Sequence, residues 1–281
     1  MSFTTIVTAE QLHERLNDRN LVIFDCRHSL ADFSLGRHLY DESHIPGAFF
    51  ADVESDLAGT KTGANGRHPL PDPESFARFL RARGANDDSQ IVAYDGGADM
   101  FAARFWFLSR WIGHDAVAIL DGGFAAWNER GFPVTAAPHR PAREGSLAVR
   151  LHPEYLVDAR YVLDHLRSPD MQLIDARAKE RFSGETEPID RVAGHIPGAR
   201  QRWFKENFRP DGTLKSSEEL RAEFEREGFD PARTVHQCGS GVSAAVAHLA
   251  MQHAGLVGSR IYNGSWSEWV ADPSRPVETG E

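Results

Sequence analysis

Cysteine is scarce in this chain of 281 residues, which contains only Cys26 and Cys238. Two cysteines cannot form a disulfide framework for a chain of this length, and no Cys-x-x-Cys pair exists for zinc binding or dithiol chemistry. The N-terminus lacks the basic and apolar segments of a signal peptide, and no apolar run approaches membrane-spanning length. We therefore expect a cytoplasmic protein with reduced thiols.

Positive charge is also in short supply, because 31 lysines and arginines stand against 41 aspartates and glutamates, a net charge of −10. This balance argues against nucleic acid or an anionic membrane as a partner. An anionic small molecule would have to be bound by a local group of arginines. The composition, 41% hydrophobic and 26% charged, is typical of a globular protein, and the length is sufficient for two domains.

An internal repeat organises the chain. Four segments of the first half recur in the same order in the second half: 21–27 with 171–177, 43–48 with 194–199, 91–97 with 234–240, and 117–123 with 260–265. Four matched segments in one order indicate a duplicated domain.

Short β-branched runs alternate with amphipathic stretches in each half, and the latter predict helices near 11–16, 76–80, 161–166 and 220–224. This alternation predicts an α/β fold, with a mostly parallel sheet flanked by helices in each half. We place the first domain at 1–135, a proline-containing linker at 136–150, and the second domain at 151–281.

The most informative segment is the loop around Cys238. A β-branched run leads into the cysteine, and Gly239-Ser240-Gly241-Val242-Ser243 then leads into a run of small residues suited to a helix. Glycines let backbone N–H groups turn inward, and a helix N-terminus adds positive potential, so this loop predicts a cradle for a sulfur anion and a nucleophilic thiolate. The alternative is a buried, inert cysteine at a strand end.

Cysteine phosphatases share this strand–loop–helix plan. They require an arginine six residues after the cysteine, where it clamps phosphate with two hydrogen bonds. Ala244 occupies that position in this chain. The phosphatase interpretation therefore lacks its required cation.

The Cys238 loop resembles the active-site loop of the rhodanese superfamily. Its sequence, Cys-Gly-Ser-Gly-Val-Ser, is similar to the Cys-Gly-Ser-Gly-Val-Thr of 3-mercaptopyruvate sulfurtransferases, whereas thiosulfate sulfurtransferases usually carry Cys-Arg-Lys-Gly-Val-Thr. The resemblance covers nearly the whole chain. It implies two tandem rhodanese-like domains, of which the N-terminal one is inactive and the C-terminal one catalytic. The repeat agrees, because Asp95 occupies the cysteine position in the first half, and a carboxylate cannot carry a persulfide.

The resemblance also implies substrate-binding arginines. Two arginines of the matching family segment hold the substrate carboxylate and ketone, and Arg181 matches the first of them. Arg191 lies one residue later than the family spacing for the second, and its alternative is a solvated loop arginine. Gly239, Gly241, Val242 and Ser243 are implied to line the substrate site.

A third implied residue is His68, in the segment Gly-Arg-His-Pro-Leu-Pro. The matching family histidine reaches over from the N-terminal domain and acts with the loop serine, here Ser240, and an upstream acid. The candidate acids are Asp52, Glu54 and Asp56, and the alternative is a surface histidine beside prolines.

Residues shared by both halves cannot be specific to catalysis. We therefore interpret several of them structurally, as ion pairs, satisfied turn histidines and core anchors: Asp25 with Arg27, Asp175 with Arg177, His44, His195, and the tryptophans Trp127, Trp266 and Trp269. Cys26 lacks glycine-rich surroundings and is interpreted as a small buried residue.

From the residues alone we expect an activated cysteine near arginines. The resemblance implies a sulfurtransferase without metal or organic cofactor, in which Cys238 takes sulfur from 3-mercaptopyruvate, releases pyruvate, and passes the sulfur to cyanide or to a thiol acceptor such as thioredoxin. The alternatives are a thiosulfate:cyanide sulfurtransferase and a non-enzymatic sulfur carrier. Since Gly239 and Ser240 bring no cation to the dianionic thiosulfate, the loop sequence favours 3-mercaptopyruvate.

Overall fold

The computed structural model describes residues 2–281 and divides into two compact units. The first unit contains the chain up to Gly59 together with Leu70–His152 and Phe208–Leu214. The second unit contains Thr60–Pro69, Pro153–Asn207 and Lys215–Glu281. These units differ from the division predicted at one linker, 136–150, in two short segments, 60–69 and 208–214.

The first unit is built on a five-stranded parallel sheet. Its strands are β1 Ile6–Val7, β2 Leu21–Asp25, β3 Ala48–Phe50, β4 Gln90–Tyr94 and β5 Val117–Leu120. They are ordered β1-β5-β4-β2-β3, with Asp25 beside Tyr94 and Ala93 beside Ile119. Its helices are α1 Ala9–Glu14, α2 Leu35–Glu42, α3 Pro73–Arg81, α4 Phe101–Trp111 and α5 Gly123–Glu129.

The second unit repeats this topology. Its strands are β6 Leu156–Val157, β7 Gln172–Asp175, β8 Arg200–Gln201, β9 Thr234–Gln237 and β10 Arg260–Tyr262, in the order β6-β10-β9-β7-β8, again parallel. Its helices are α6 Ala159–Asp164, α7 Lys179–Ser183, α8 Ser217–Arg226, α9 Ala244–His253 and α10 Ser265–Trp269. The predicted α/β class with two parallel sheets is confirmed.

Local sequence explains where the predicted helices begin. Thr8 and Ser216 each accept a hydrogen bond from the backbone three residues on, and Gln11 and Glu219 return one, which makes a capping box at the start of α1 and α8. Asp72 caps α3, whose first residue is Pro73. The helices therefore begin two to three residues before the apolar stretches that reveal them.

Each unit has its own apolar core. Trp127 is fully buried in the first core, and Trp266 and Trp269 are fully buried in the second, so all three are the anchors that the sequence predicted. Truncating such a side chain to alanine typically costs about 3–5 kcal/mol.

The predicted linker, 136–150, packs on the first unit along its length. The carbonyl of Ala137 contacts His44 Nε2, the N–H of Gly145 donates to Arg81, and Leu147 is 1% exposed. A Cβ on Gly145 would lie 1.9 Å from the carbonyl oxygen of Ala85, so only glycine fits this approach. The segment is thus part of the first unit rather than a free tether.

Candidate active site

Cys238 follows the last residue of β9, at the carboxyl edge of the second sheet. Its Sγ accepts hydrogen bonds from the N–H of Gly241 at 3.1 Å and from that of Ser240 at 3.5 Å. The cysteine is 2% exposed. Two backbone donors aimed at one sulfur stabilise negative charge there, because they need no further reorganisation.

The loop has its shape because Gly241 has φ +82°. A Cβ at this residue would lie 2.4 Å from the backbone oxygen of Asn263, so a larger residue would collide with the turn after β10. Gly239 does not need a positive φ. The N–H groups of Val242 and Ser243 make no hydrogen bond with Sγ, and both side chains are nearly buried at the start of α9. Their role toward a substrate stays a prediction.

Ser265 fixes the cysteine from the opposite side. Its Oγ accepts the N–H of Cys238 at 3.1 Å and donates to the carbonyl of Tyr262 at 2.9 Å. Its φ is +55°, a region that serine seldom adopts. The next two N–H groups, of Trp266 and Ser267, donate to the carbonyls of Cys238 and Gly239. The turn into α10 therefore holds the backbone of the cysteine loop.

His68 lies in the second unit, because Thr60–Pro69 packs there. Its Nδ1 is 2.8 Å from Ser240 Oγ, a hydrogen bond between residues 172 positions apart. The side-chain amide of Asn263 donates to the carbonyl of His68, and Ser267 Oγ accepts the N–H of Arg67. The predicted His68–Ser240 pair is thus present, on a buried histidine with an anchored backbone.

The three candidate acids belong to the first unit. Asp52 Oδ1 accepts the N–H groups of Glu54 and Ser55, and Asp56 Oδ2 accepts the N–H of Asp52. Burial raises the pKa of Asp56. Asp52 and Asp56 therefore shape their own turn, and the choice of an acid partner for His68 stays a prediction.

Arg181 faces the cysteine loop from the end of α7. Its Nε and Nη2 bind both carboxylate oxygens of Glu187 at 2.7–3.1 Å, and Nη2 also lies 3.4 Å from Asp190. Burial alone would raise the pKa of Glu187, but hydrogen bonds from Arg181 and from the N–H groups of Asp190 and Ile189 outweigh it and hold that pKa below its usual value. Glu187 is thus the ionised anchor of Arg181.

Arg67 is a second cation at the same loop. Its Nη1 pairs with Asp190, and its Nη2 would lie 2.8 Å from a Cβ built on Gly239. Arg181 Nη1 would lie 3.5 Å from the same point. The residues of the loop itself bring no cation, as its sequence predicts, and both cations beside it come from distant segments of the chain.

Arg191 is exposed, and its side chain makes no hydrogen bond or ion pair with residues 2–281. Asp190, one position earlier, is the residue that reaches the guanidinium groups. A substrate role for Arg191 remains a prediction that this arrangement does not support.

The Asp–Arg pairs of the two halves form the predicted structural ion pairs. Arg27 binds Asp25 and Arg177 binds Asp175, with a shortest distance of 2.6 Å in each case. Each guanidinium also stacks on an aromatic ring, Phe124 in the first unit and Trp266 in the second.

The histidines of the repeat are satisfied turn residues, as expected. His44 Nδ1 contacts the carbonyl of Tyr40, and His195 Nδ1 contacts that of Phe182. Cys26 is fully buried, and this burial, with nearby Asp25, Asp95 and Asp56, raises the pKa of its thiol well above the usual value. Cys26 therefore stays a neutral thiol and has none of the features of the Cys238 cradle.

Sequence reasoning missed Arg67, Asn263 and Ser265. Arg67 is the neighbour of His68 in the segment that the sequence singled out, so its position next to a candidate base was the available signal. Asn263 and Ser265 align with Asp121 and Gly123 of the first half. A serine that replaces a glycine of the repeat was a signal for a special backbone position.

The fold and the site define a class: duplicated α/β proteins in which one of two equivalent loops cradles a cysteine. Comparison with known proteins narrows the class. A family model described as Rhodanese-like domain matches residues 8–130 and 158–272. The chain belongs to the rhodanese family.

Several relatives are similar over their full length. A probable 3-mercaptopyruvate sulfurtransferase of Pseudomonas aeruginosa is 46% identical, with 100% of both chains covered. A putative thiosulfate sulfurtransferase of Mycobacterium tuberculosis is 36% identical, covering 98% of this chain and 97% of its own. The solved structure of a 3-mercaptopyruvate sulfurtransferase of Escherichia coli has a TM-score of 0.81 and 34% identity, covering 94% and 99%.

None of the helices among residues 2–281 combines the length and apolar character that crossing a bilayer requires.

Proposed function

We propose that this protein is a sulfurtransferase that moves sulfur from 3-mercaptopyruvate through a Cys238 persulfide to a thiol acceptor or cyanide. The observation that carries the proposal is the cysteine cradle, in which two N–H groups hold Sγ while the Ser240–His68 pair and Arg181 face the same loop. The donor follows from the names of the relatives, among them one that is 46% identical.

In the first half-reaction the Cys238 thiolate attacks the sulfur of 3-mercaptopyruvate. The new S–S bond forms as the substrate C–S bond breaks, and the electron pair of that bond leaves on carbon as the enolate of pyruvate. A proton then adds to this carbon, and the persulfide remains on Cys238. The N–H groups of Ser240 and Gly241 stabilise the sulfur anion.

In the second half-reaction a nucleophile attacks the outer sulfur. Cyanide takes this sulfur and becomes thiocyanate, and a thiol takes it and becomes a persulfide. Either step returns the Cys238 thiolate. A dithiol protein such as thioredoxin would go on to release sulfide and form its disulfide, and this acceptor, like the cytoplasmic location, rests on the sequence argument.

Ser240 and His68 would act on the donor carbonyl. The Ser240 hydroxyl polarises the ketone as the enolate develops, and His68, 2.8 Å away, orients that hydroxyl and exchanges its proton. Arg181 would bind the donor carboxylate through its Nη1, since its other edge is occupied by Glu187. Gly239, Gly241, Val242 and Ser243 would surround the outer sulfur.

Thiosulfate is the second candidate donor. Arg67 and Arg181 place two guanidinium groups above Gly239, and a dianionic sulfonate end gains from such cations. A relative with a thiosulfate sulfurtransferase name is 36% identical. We therefore expect turnover of both donors, with higher kcat/KM for 3-mercaptopyruvate.

The test compares pyruvate release from 3-mercaptopyruvate with thiocyanate release from thiosulfate in the wild type, Cys238→Ser and Cys26→Ser. We expect Cys238→Ser to lose transfer from both donors, a loss on the order of a thousandfold or more. Cys26→Ser should retain most activity, and mass spectrometry should find one added sulfur on the Cys238 peptide.

Three outcomes would contradict the proposal. Activity that persists in Cys238→Ser would end it. Higher efficiency with thiosulfate would make the second candidate the function. No turnover with either donor, together with sulfur uptake from a cysteine desulfurase, would identify a carrier instead.

A further inference from the structure

Two arginine edges without protein partners converge above the cysteine loop. Arg67 Nη2 and Arg181 Nη1 make no hydrogen bond with residues 2–281, and both lie within 3.5 Å of one point, the Cβ position of Gly239. Their side chains are 28% and 20% exposed, so both edges remain accessible to a small molecule. Two adjacent N–H edges are the geometry that binds a carboxylate or a sulfonate.

Asp190 holds the guanidinium groups of Arg67 and Arg181 next to each other. It is 6% exposed, pairs with Arg67 Nη1 through one oxygen, and lies 3.4 Å from Arg181 Nη2 through the other. A buried carboxylate between two guanidinium groups offsets their mutual repulsion and leaves their opposite edges for a ligand. The backbone of Arg67 is fixed as well, because its N–H donates to Ser267 Oγ.

Gly239 makes room for this arrangement. A Cβ there would lie 2.8 Å from Arg67 Nη2, which is closer than real Cβ atoms approach a neighbour. The residue after the cysteine, Gly239, is thus small because Arg67, from another segment, occupies the space above it.

We propose that Arg67 is the second donor-binding cation of this site and, with Arg181, binds the anionic end of the sulfur donor in the place that the sequence assigned to Arg191. The proposal rests on the proposed sulfurtransferase function. It adds that donor specificity is set by an arginine of the segment 60–69, outside the cysteine loop.

The experiment measures kcat and KM for Arg67→Gln and Arg181→Gln, with Arg191→Gln as the matched control. Donors are 3-mercaptopyruvate, thiosulfate and the methyl ester of 3-mercaptopyruvate, whose carboxyl end is uncharged. We expect Arg67→Gln to lower kcat/KM for both anionic donors about ten- to a hundredfold, mostly through KM, and to leave the ester almost unchanged. Arg191→Gln should stay within about twofold of wild type.

Rescue provides the second readout. Adding Gly239→Arg to Arg67→Gln returns a cation to the same space, and it should recover part of the thiosulfate efficiency. Thermal melting of each variant reports whether the fold is intact. A merely structural role of Arg67 would lower activity equally for acid and ester, and no rescue would follow.

The outcomes separate this inference from the function on which it rests. A wild type that transfers no sulfur from any donor overturns the proposed function. An active wild type with unchanged Arg67→Gln, or with a larger loss in Arg191→Gln, overturns only the role of Arg67. An equal loss for acid and ester also overturns it.

Discussion

The equivalent loops in the two halves of the molecule hold different side chains with backbone N–H groups. Asp95 directly follows β4 as Cys238 directly follows β9, and its carboxylate accepts the N–H of Gly97 at 3.1 Å and that of Ala102 at 3.0 Å. The N–H groups of Phe124 and Ala125 donate to the carbonyls of Asp95 and Gly96, as Trp266 and Ser267 do in the second unit. A parallel strand, a tight loop and a helix therefore surround one side chain with N–H donors in both units, whether or not that side chain is reactive.

The difference lies in the segment that packs beside each loop. Arg67 and His68 reach the cysteine loop, where they place a guanidinium group and an imidazole ring. In the first unit Gly212 approaches Gly97 and Ala98 of the Asp95 loop instead, and Asp121 accepts the N–H of Leu214. A space of about 10 Å³ remains there, about the volume that one water molecule needs. We therefore expect reactivity to depend on the added segment as much as on the loop.

The largest test of this comparison places a cysteine in the first cradle. Asp95→Cys in a Cys238→Ser background should give no sulfur transfer, on the order of a thousandfold or more below wild type, because the Asp95 loop lacks both space and a neighbouring arginine–histidine pair. Pyruvate release and the mass of the peptide containing residue 95 are the measurements. Asp95→Cys with Cys238 intact is the control and should stay active. Turnover above about one percent of wild type would show that the loop alone suffices.

The repeat predicted most of the fold because its signals are local. Hydrophobic runs of four or five residues mark the parallel strands, and a glycine-rich loop after one of them places Cys238 at a strand end. The contacts of Arg67 and His68 carry no such signal, since their partners lie more than 100 residues away. Segment 60–69 belongs to the second unit because of how it packs, and the hydrophobic pattern of the sequence does not show this. Family resemblance named His68 and Arg191 as site residues and did not name Arg67.

A second comparison concerns the turn that supports each loop. Gly123 has φ +58° and its counterpart Ser265 has φ +55°. A Cβ on Gly123 would lie 2.6 Å from Asp95 O and Gly97 N, so only glycine fits there. In the second unit a side chain fits at this position, and its hydroxyl binds the N–H of Cys238. The strained serine thus stands where the backbone N–H of Cys238 needs a partner.

Removing this hydroxyl should destabilise the second unit. Ser265→Ala keeps the unfavourable backbone and leaves a buried N–H unpaired, which we expect to cost about 1–3 kcal/mol and to lower kcat. Ser265→Gly also loses the hydroxyl but relieves the backbone, so its loss should be smaller. Thermal and urea unfolding measure both. Equal stability of Ser265→Ala and wild type would contradict the assigned role.

The smallest expected effect concerns how the paired arginines are held. Arg27 Nη2 also donates to the carbonyls of Leu39 and Ser43, and Arg177 Nη2 donates to that of Gly194. Arg177 has in addition a second carboxylate, Glu187, at 3.4 Å from its Nη1. Glu187 also holds Arg181, and its lowered pKa means that its charged form favours the folded state. The second unit therefore has an acid-sensitive anchor for its arginines that the pair in the first unit does not use.

Lowering the pH should remove the contribution of the Glu187 carboxylate to the stability of the fold. A carboxyl with a folded-state pKa below its unfolded value, about 4.3 for glutamate, stabilises the fold above that value and loses this contribution as the pH falls through the folded pKa. Glu187→Gln should therefore lower Tm at pH 7 by a few degrees, roughly, and the difference from wild type should shrink below about pH 4. Glu10→Gln, which breaks an exposed pair with Arg130 in the first unit, is the control and should change Tm little. A Glu187→Gln difference that stays constant from pH 7 to pH 3 would show that the carboxylate charge does not hold the site together.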